Sequence, residues 1–145
     1  GMTMLRQAGP IFTLLVALML HAPPVFAEQY AVIVHPSNAA DFDSNIIGRI
    51  FLTKQKTFST GADAIPIELK HPSKSRQLFH QKIIKKSDAQ IRSYWTMLLF
   101  SGKGTPPKEM PSEQKVLELV AGNPNMVGYV SAQAVNDQVK VVLRF

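Results

Sequence analysis

The sequence predicts an α/β domain, a mostly parallel sheet flanked by helices. Two observations carry that prediction. Short apolar runs that end at Pro or Gly alternate along the chain with stretches whose apolar residues recur at the helical period. The first of these runs, Tyr30 to Val34, is apolar at every position, as a strand covered on both faces is.

The elements follow in order. "YAVIV" is closed by Pro36. In "DFDSNIIGRIFLTK", Asp43 or Ser44 caps a helix whose Ile46, Ile47, Ile50 and Phe51 share one face. The polar, Gly-containing "QKTFSTGADA" is a loop, and "IPIEL" at 65–69 returns as a short strand with Pro66 at its beginning or on an edge. After "HPSKS" a helix carries Leu78, Phe79 and Ile83 on one stripe and ends in Lys85 and Lys86, which suit the negative end of its dipole.

"SDAQ" is a capping box from Ser87 to Gln90. The helix it opens places Ile91, Tyr94, Trp95, Leu98 and Leu99 at i, i+3, i+4, i+7 and i+8, and "SGKGTPPKEMP" stops it. Ser112 caps a further helix through Val120, which "GNPN" ends. "MVGYV" is a strand, "SAQAV" a single helical turn, and "VKVVLRF" the last strand.

Residues 1–27 are expected to be a secretory signal peptide and 28–145 a single domain. Gly1 stands ahead of Met2 as a tag remnant would, Arg6 marks the basic region, and Ile11 to Leu20 is an apolar run too short to span a bilayer. "HAPPVFA" then ends in the small-x-small pattern of a cleavage site. The expected location is the periplasm, with no membrane span after cleavage. The chain has no Cys, which excludes disulfides, thiolate chemistry and Cys-ligated metal together. It carries a net charge of +6, which attracts anions of any kind. Its basic residues are scattered and not interleaved with aromatic ones, so no nucleic-acid groove is expected.

The candidate site is an anion corner. "HPSN" at 35–38 and "HPSK" at 71–74 each follow an apolar run. In an open α/β sheet, ligands sit where loops leave the carboxyl ends of strands. A helix start offers unpaired N–H groups and positive potential. The ligand-binding candidates are therefore Ser37, Asn38, Ser73, Lys74, Ser75 and Arg76. The bland alternative is a well-capped helix start and nothing more. No catalytic residue is expected: there is no G-x-S-x-G elbow and no activated Cys. No metal and no cofactor are expected either. His35, His71 and His80 lack ligand spacing, and Asp41 and Asp43 are the only acidic cluster near them.

The order of "IIGRIFLTK", "IPIEL", the Ser-x-Ser helix start, "YWTMLLFSGKGTPP" and "VLELVAGNPNMVGYV" resembles the second lobe of the substrate-binding proteins of phosphate ABC transporters. It is most similar to their short, single-lobe relatives. The resemblance implies a single-lobe domain of the type 2 periplasmic-binding-protein kind, non-catalytic, with an inorganic oxyanion such as phosphate as its solute, linked to transport or sensing. Full-size members hold phosphate with Arg-x-x-x-Ser-Gly-Thr at a helix start. Alignment on Phe79 puts Ser-Gly-Thr on Ser73, Lys74 and Ser75. The arginine position falls on Leu69, and the neighbouring Lys70 can supply a point charge but not a bidentate fork. One lobe is half a cleft, so the expected partners are a second lobe from a homodimer, or a membrane transporter or sensor. The other reading is a ligand-free interaction module of the cell envelope that has kept the fold.

Overall fold

The structure, a computed structural model, describes residues 29–145 continuously, together with residues 9, 10, 14, 16 and 17. The signal-peptide expectation thus lies almost entirely outside the described residues. From residue 30 the order is β1 (Tyr30–Val34), α1 (Ser44–Phe51), β2 (Ile65–Leu69), α2 (Lys74–Phe79), a π-helical turn (His80–Ile84) and α3 (Asp88–Ser101). Then come β3 (Lys108–Met110), α4 (Glu113–Gly122), β4 (Met126–Ser131), a 3₁₀ turn (Ala132–Ala134) and β5 (Lys140–Arg144). Among the described residues no helix is long and apolar enough to cross a membrane.

The five strands form one sheet in the order β3-β2-β4-β1-β5. β2 runs parallel to β3 and to β4, while β1 runs antiparallel to both β4 and β5. Four strands therefore share one direction, and β1 alone opposes them. Buried at all five residues, β1 matches its continuous apolar run. The short β3, inside the Gly- and Pro-rich stretch that sequence reading took only as a helix stop, is an added edge strand.

Adjacent residues of β4 show how both faces are covered, because neighbours along a strand point to opposite sides. On one side Tyr129 stacks on Phe79 of α2 at 4.2 Å, and Phe51 of α1 meets Phe79 at 4.6 Å. On the other, a Cβ at Gly128 would lie 2.7 Å from Val116 Cγ1 of α4, so only Gly lets that helix approach so closely. Phe79, Phe51 and Tyr129 are fully or almost fully buried. Each such side chain contributes roughly 1.5–3 kcal/mol of apolar transfer.

The helix ends obey local rules. Asp43 accepts from Ile46 N at 2.7 Å, and Ser87 and Gln90 form the reciprocal capping box. Gly102 closes α3 in the left-handed region at φ 67°. One element departs from its pattern. Leu99, on the predicted apolar stripe of α3, is exposed, because α3 meets the body chiefly through Ile91 and Trp95, with Tyr94 and Leu98 half-buried beside them.

Candidate functional site

The opposed direction of β1 separates the two His-Pro-Ser corners. Val34, at the end of β1, lies opposite Val127 and Lys140, at the beginnings of β4 and β5. The end of β2 instead lies with the end of β4 and the beginning of β1, where Tyr30 is opposite Ser131. The loop at 35–38 and the loop at 71–74 thus leave opposite ends of the sheet. Sequence reading placed both loops at carboxyl ends, which is true, but those ends coincide only when strands are parallel.

At the first corner most polar groups bond within the loop or to β5, while the buried Asn38 Nδ2 has no hydrogen-bond partner among the described residues. Ser37 N–H and Oγ point to His35 Nδ1 at 3.1 and 2.7 Å. Asn38 Oδ1 accepts from Ala40 N at 3.0 Å, and its carbonyl accepts from Lys140 Nζ at 2.9 Å. Ser37 and Asn38 therefore do not join Ser73, Lys74, Ser75 and Arg76 in one site.

The second corner forms an open crevice at the carboxyl ends of β2 and β4. Lys70, Ser73, Lys74, Ser75, Glu113 and Ser131 are among its lining residues. Two helices begin there. Ser73 Oγ caps α2 by accepting from Arg76 N at 3.2 Å, and Ser112 Oγ caps α4 by accepting from Lys115 N at 3.1 Å. Their positive ends both favour negative charge at this spot.

A negative group is already there. The buried Ser75 Oγ donates to Glu113 Oε1 at 2.7 Å; Ser131 N–H donates to the same oxygen at 2.9 Å. Ser131 Oγ donates to Glu113 Oε2 at 2.8 Å. Three donors from α2 and β4 thus hold one carboxylate from the first turn of α4. Sequence reading found Ser75 and missed Glu113 and Ser131. The only local signal for Glu113 was its place directly after the Ser112 cap.

Arg76 does not line this crevice. Its Nη1 donates to Leu69 O at 2.9 Å and faces Glu109 at 3.4 Å and Glu68 at 3.9 Å. Behind it lies a buried polar cluster that sequence reading also missed. His80 Nε2 is 2.6 Å from Glu68 Oε1, and Tyr129 OH donates to the same oxygen at 3.4 Å. Burial, and then the Glu68 charge, push the Tyr129 phenol far above its ordinary value. This cluster fastens α2 and the π turn to β2 beneath the crevice. His80 is thereby engaged with Glu68, and among the described residues no group of His, Asp or Glu is arranged to hold a metal.

No protein-family model matches the sequence. No curated protein matches it either. Solved structures do. A phosphate ABC transporter substrate-binding protein with bound phosphate from Clostridium perfringens matches with TM-score 0.63 at 21% identity, over 79% of this chain and 44% of that one. An ABC-type phosphate transport receptor from Vibrio cholerae matches with TM-score 0.55 at 13% identity, over 79% and 45%. PstS from Borrelia burgdorferi matches with TM-score 0.56 at 12% identity, over 79% and 47%. The fold is that of part of these binding proteins, and the chain spans less than half the length of each.

Proposed function

We propose that the chain is an exported, non-catalytic solute-binding module whose crevice at the β2–α2 corner takes an inorganic oxyanion, phosphate first. The observation that carries this reading is the donor set around Glu113. Ser75 Oγ, Ser131 N–H and Ser131 Oγ already converge on an oxygen-bearing anion, at the mouth of two helix starts. Lys70 and Lys74 border the same space. A free oxyanion would take these donors by displacing the Glu113 carboxylate. Arg76 is not a ligand in this reading, and neither are Ser37 and Asn38.

The site is half of a cleft, and its hydrogen bonds compete with water. Each nets about 0.5–1.5 kcal/mol, up to about 3 if charged, so a few give millimolar-range affinity. Tighter capture requires a second lobe, from another copy of the chain or from a transporter or sensor of the cell envelope. Isothermal titration with phosphate, sulfate and arsenate tests the reading. Binding is expected for phosphate, weakened by Ser75→Ala and by Lys74→Ala. Silence with all three anions discards it.

A second reading is favoured by the same carboxylate. Because Glu113 fills the donor set unaided, the chain is complete without a solute and serves as an interaction module that has kept the fold. One stoichiometric partner recovered from envelope extracts, alongside silent titrations, would select it.

A further inference from the structure

A groove on the far side of α1 collects positive charge without any acid. It runs between α1 and the turn at 83–86, where a Cβ added at Gly48 would lie in ordinary contact, 3.4 Å from Ile83 O. Arg49, Lys54, Lys85 and Lys86 line it, and no carboxylate does. Of the acids near it in sequence, Asp43 caps α1 by accepting from Ile46 N, and the exposed Asp88, two residues after Lys86, faces His80 Nδ1 at 4.0 Å. Among the described residues, none of the four cations has a carboxylate within ion-pair distance. Four uncompensated cations around one groove call for a multiply charged anionic counterpart.

One cation of the groove, Lys54, reaches across to α3. Lys54 Nζ sits 5.8 Å over the ring of Tyr94 on α3. From Tyr94, Met97 and Phe100 follow at i+3 and i+6, stepping around the helix away from the buried Ile91 and Trp95. Met97 is 62% exposed and Phe100 91% exposed. An apolar stripe this exposed, reached by a cation of the groove, matches a surface that offers anionic headgroups beside hydrocarbon.

The geometry points to the α1–α3 face as a docking surface for an anionic lipid bilayer. Arg49, Lys54, Lys85 and Lys86 meet phosphate headgroups, while Met97 and Phe100 enter the interface. This surface is separate from the Ser75–Glu113 crevice and does not depend on solute binding there.

The test is co-sedimentation of the domain, residues 28–145 without the apolar run from Ile11 to Leu20, with phosphatidylglycerol-containing vesicles and with all-phosphatidylcholine vesicles. Binding is expected only to the first and is expected to fall as salt rises. Lys85→Gln with Lys86→Gln should raise the half-saturating lipid concentration about thirtyfold, roughly fivefold per cation. Phe100→Ser should also weaken binding, with the melting temperature unchanged because the ring is exposed. Lys108→Gln on β3 should change nothing. Equal sedimentation with both vesicle types overturns the proposal. So does a loss seen with the lysine pair but not with Phe100→Ser, accompanied by tight binding of soluble tripolyphosphate; that pattern would make the groove a site for free anions.

Discussion

Ser75 Oγ donates to Glu113 Oε1 at 2.7 Å, although the two residues stand 38 apart in the chain. The contact ties the start of α2 to the start of α4. Both helix starts face the carboxylate, so its charge is stabilised where it sits. It also means that any anion entering the crevice meets a resident one.

Replacing Glu113 by Ala should therefore separate fold from binding. Phosphate affinity is expected to rise about tenfold, since a like charge a few ångströms away is removed and two serines regain donor capacity. Stability is expected to fall by about 1–2 kcal/mol, because buried Ser75 loses its acceptor and α4 loses a favourable first-turn charge. Titration calorimetry and urea denaturation read the two effects. Unchanged phosphate affinity in the variant would mean that Glu113 does not compete for the site.

The Glu68–His80 pair is a matter of stability. With both side chains buried, His80→Ala leaves Glu68 to Tyr129 and to Arg76 at 3.9 Å. A loss of about 3 kcal/mol is expected in urea denaturation. Adding Glu68→Gln in that background should recover part of it, since a neutral amide no longer strands a buried charge. No recovery would indicate that packing, not charge, sets the cost.

What the sequence revealed and what it hid divide along the range of the interactions. The Ser87 capping box, the apolar β1 and the Ser73 cap are set by residues within a few positions, and each could be read directly. The direction of β1 is set by its pairing with β4 and β5, almost a hundred positions away or more, so the two His-Pro-Ser corners looked equivalent when they are not. β3 has only three residues and no period to detect. Half of the candidate site was legible for the same reason: Ser73 and Ser75 belong to a local helix start. Glu113 and Ser131 join them only through the fold. Arg76 has the right charge in the right segment, but the Leu69 carbonyl and Glu109 hold it elsewhere.

Gly128→Ala tests the closest approach of helix to sheet. The added methyl would meet Val116 Cγ1 at 2.7 Å and Ile67 Cγ1 at 3.3 Å, so the Val116 side chain or the helix that carries it must move, and an outward shift of α4 is expected. A destabilisation of about 1–3 kcal/mol is expected. The shift should also move Glu113, which is on the same helix, and weaken whatever anion affinity the crevice has. A variant as stable as the parent would show that α4 packs more loosely than this contact requires.

Tyr129 gives a pH dependence whose sign is fixed. Burial first, and then the Glu68 carboxylate, raise its phenol far above the ordinary value of 10.0. Below about pH 10 the folded and unfolded chains both keep the proton, and the contribution of neutral Tyr129 is fully present. Above that pH the unfolded chain releases the proton while the folded one retains it, so stability is lost as pH rises, by up to about 1.4 kcal/mol per pH unit. Tyr129→Phe keeps the 4.2 Å stack on Phe79 and has nothing to ionise. Its thermal stability should therefore decline less steeply than that of the parent above about pH 10. Lysines and other tyrosines titrate in both proteins, so the difference between the two curves isolates this group. Parallel curves would mean that the ring is not held neutral by its surroundings.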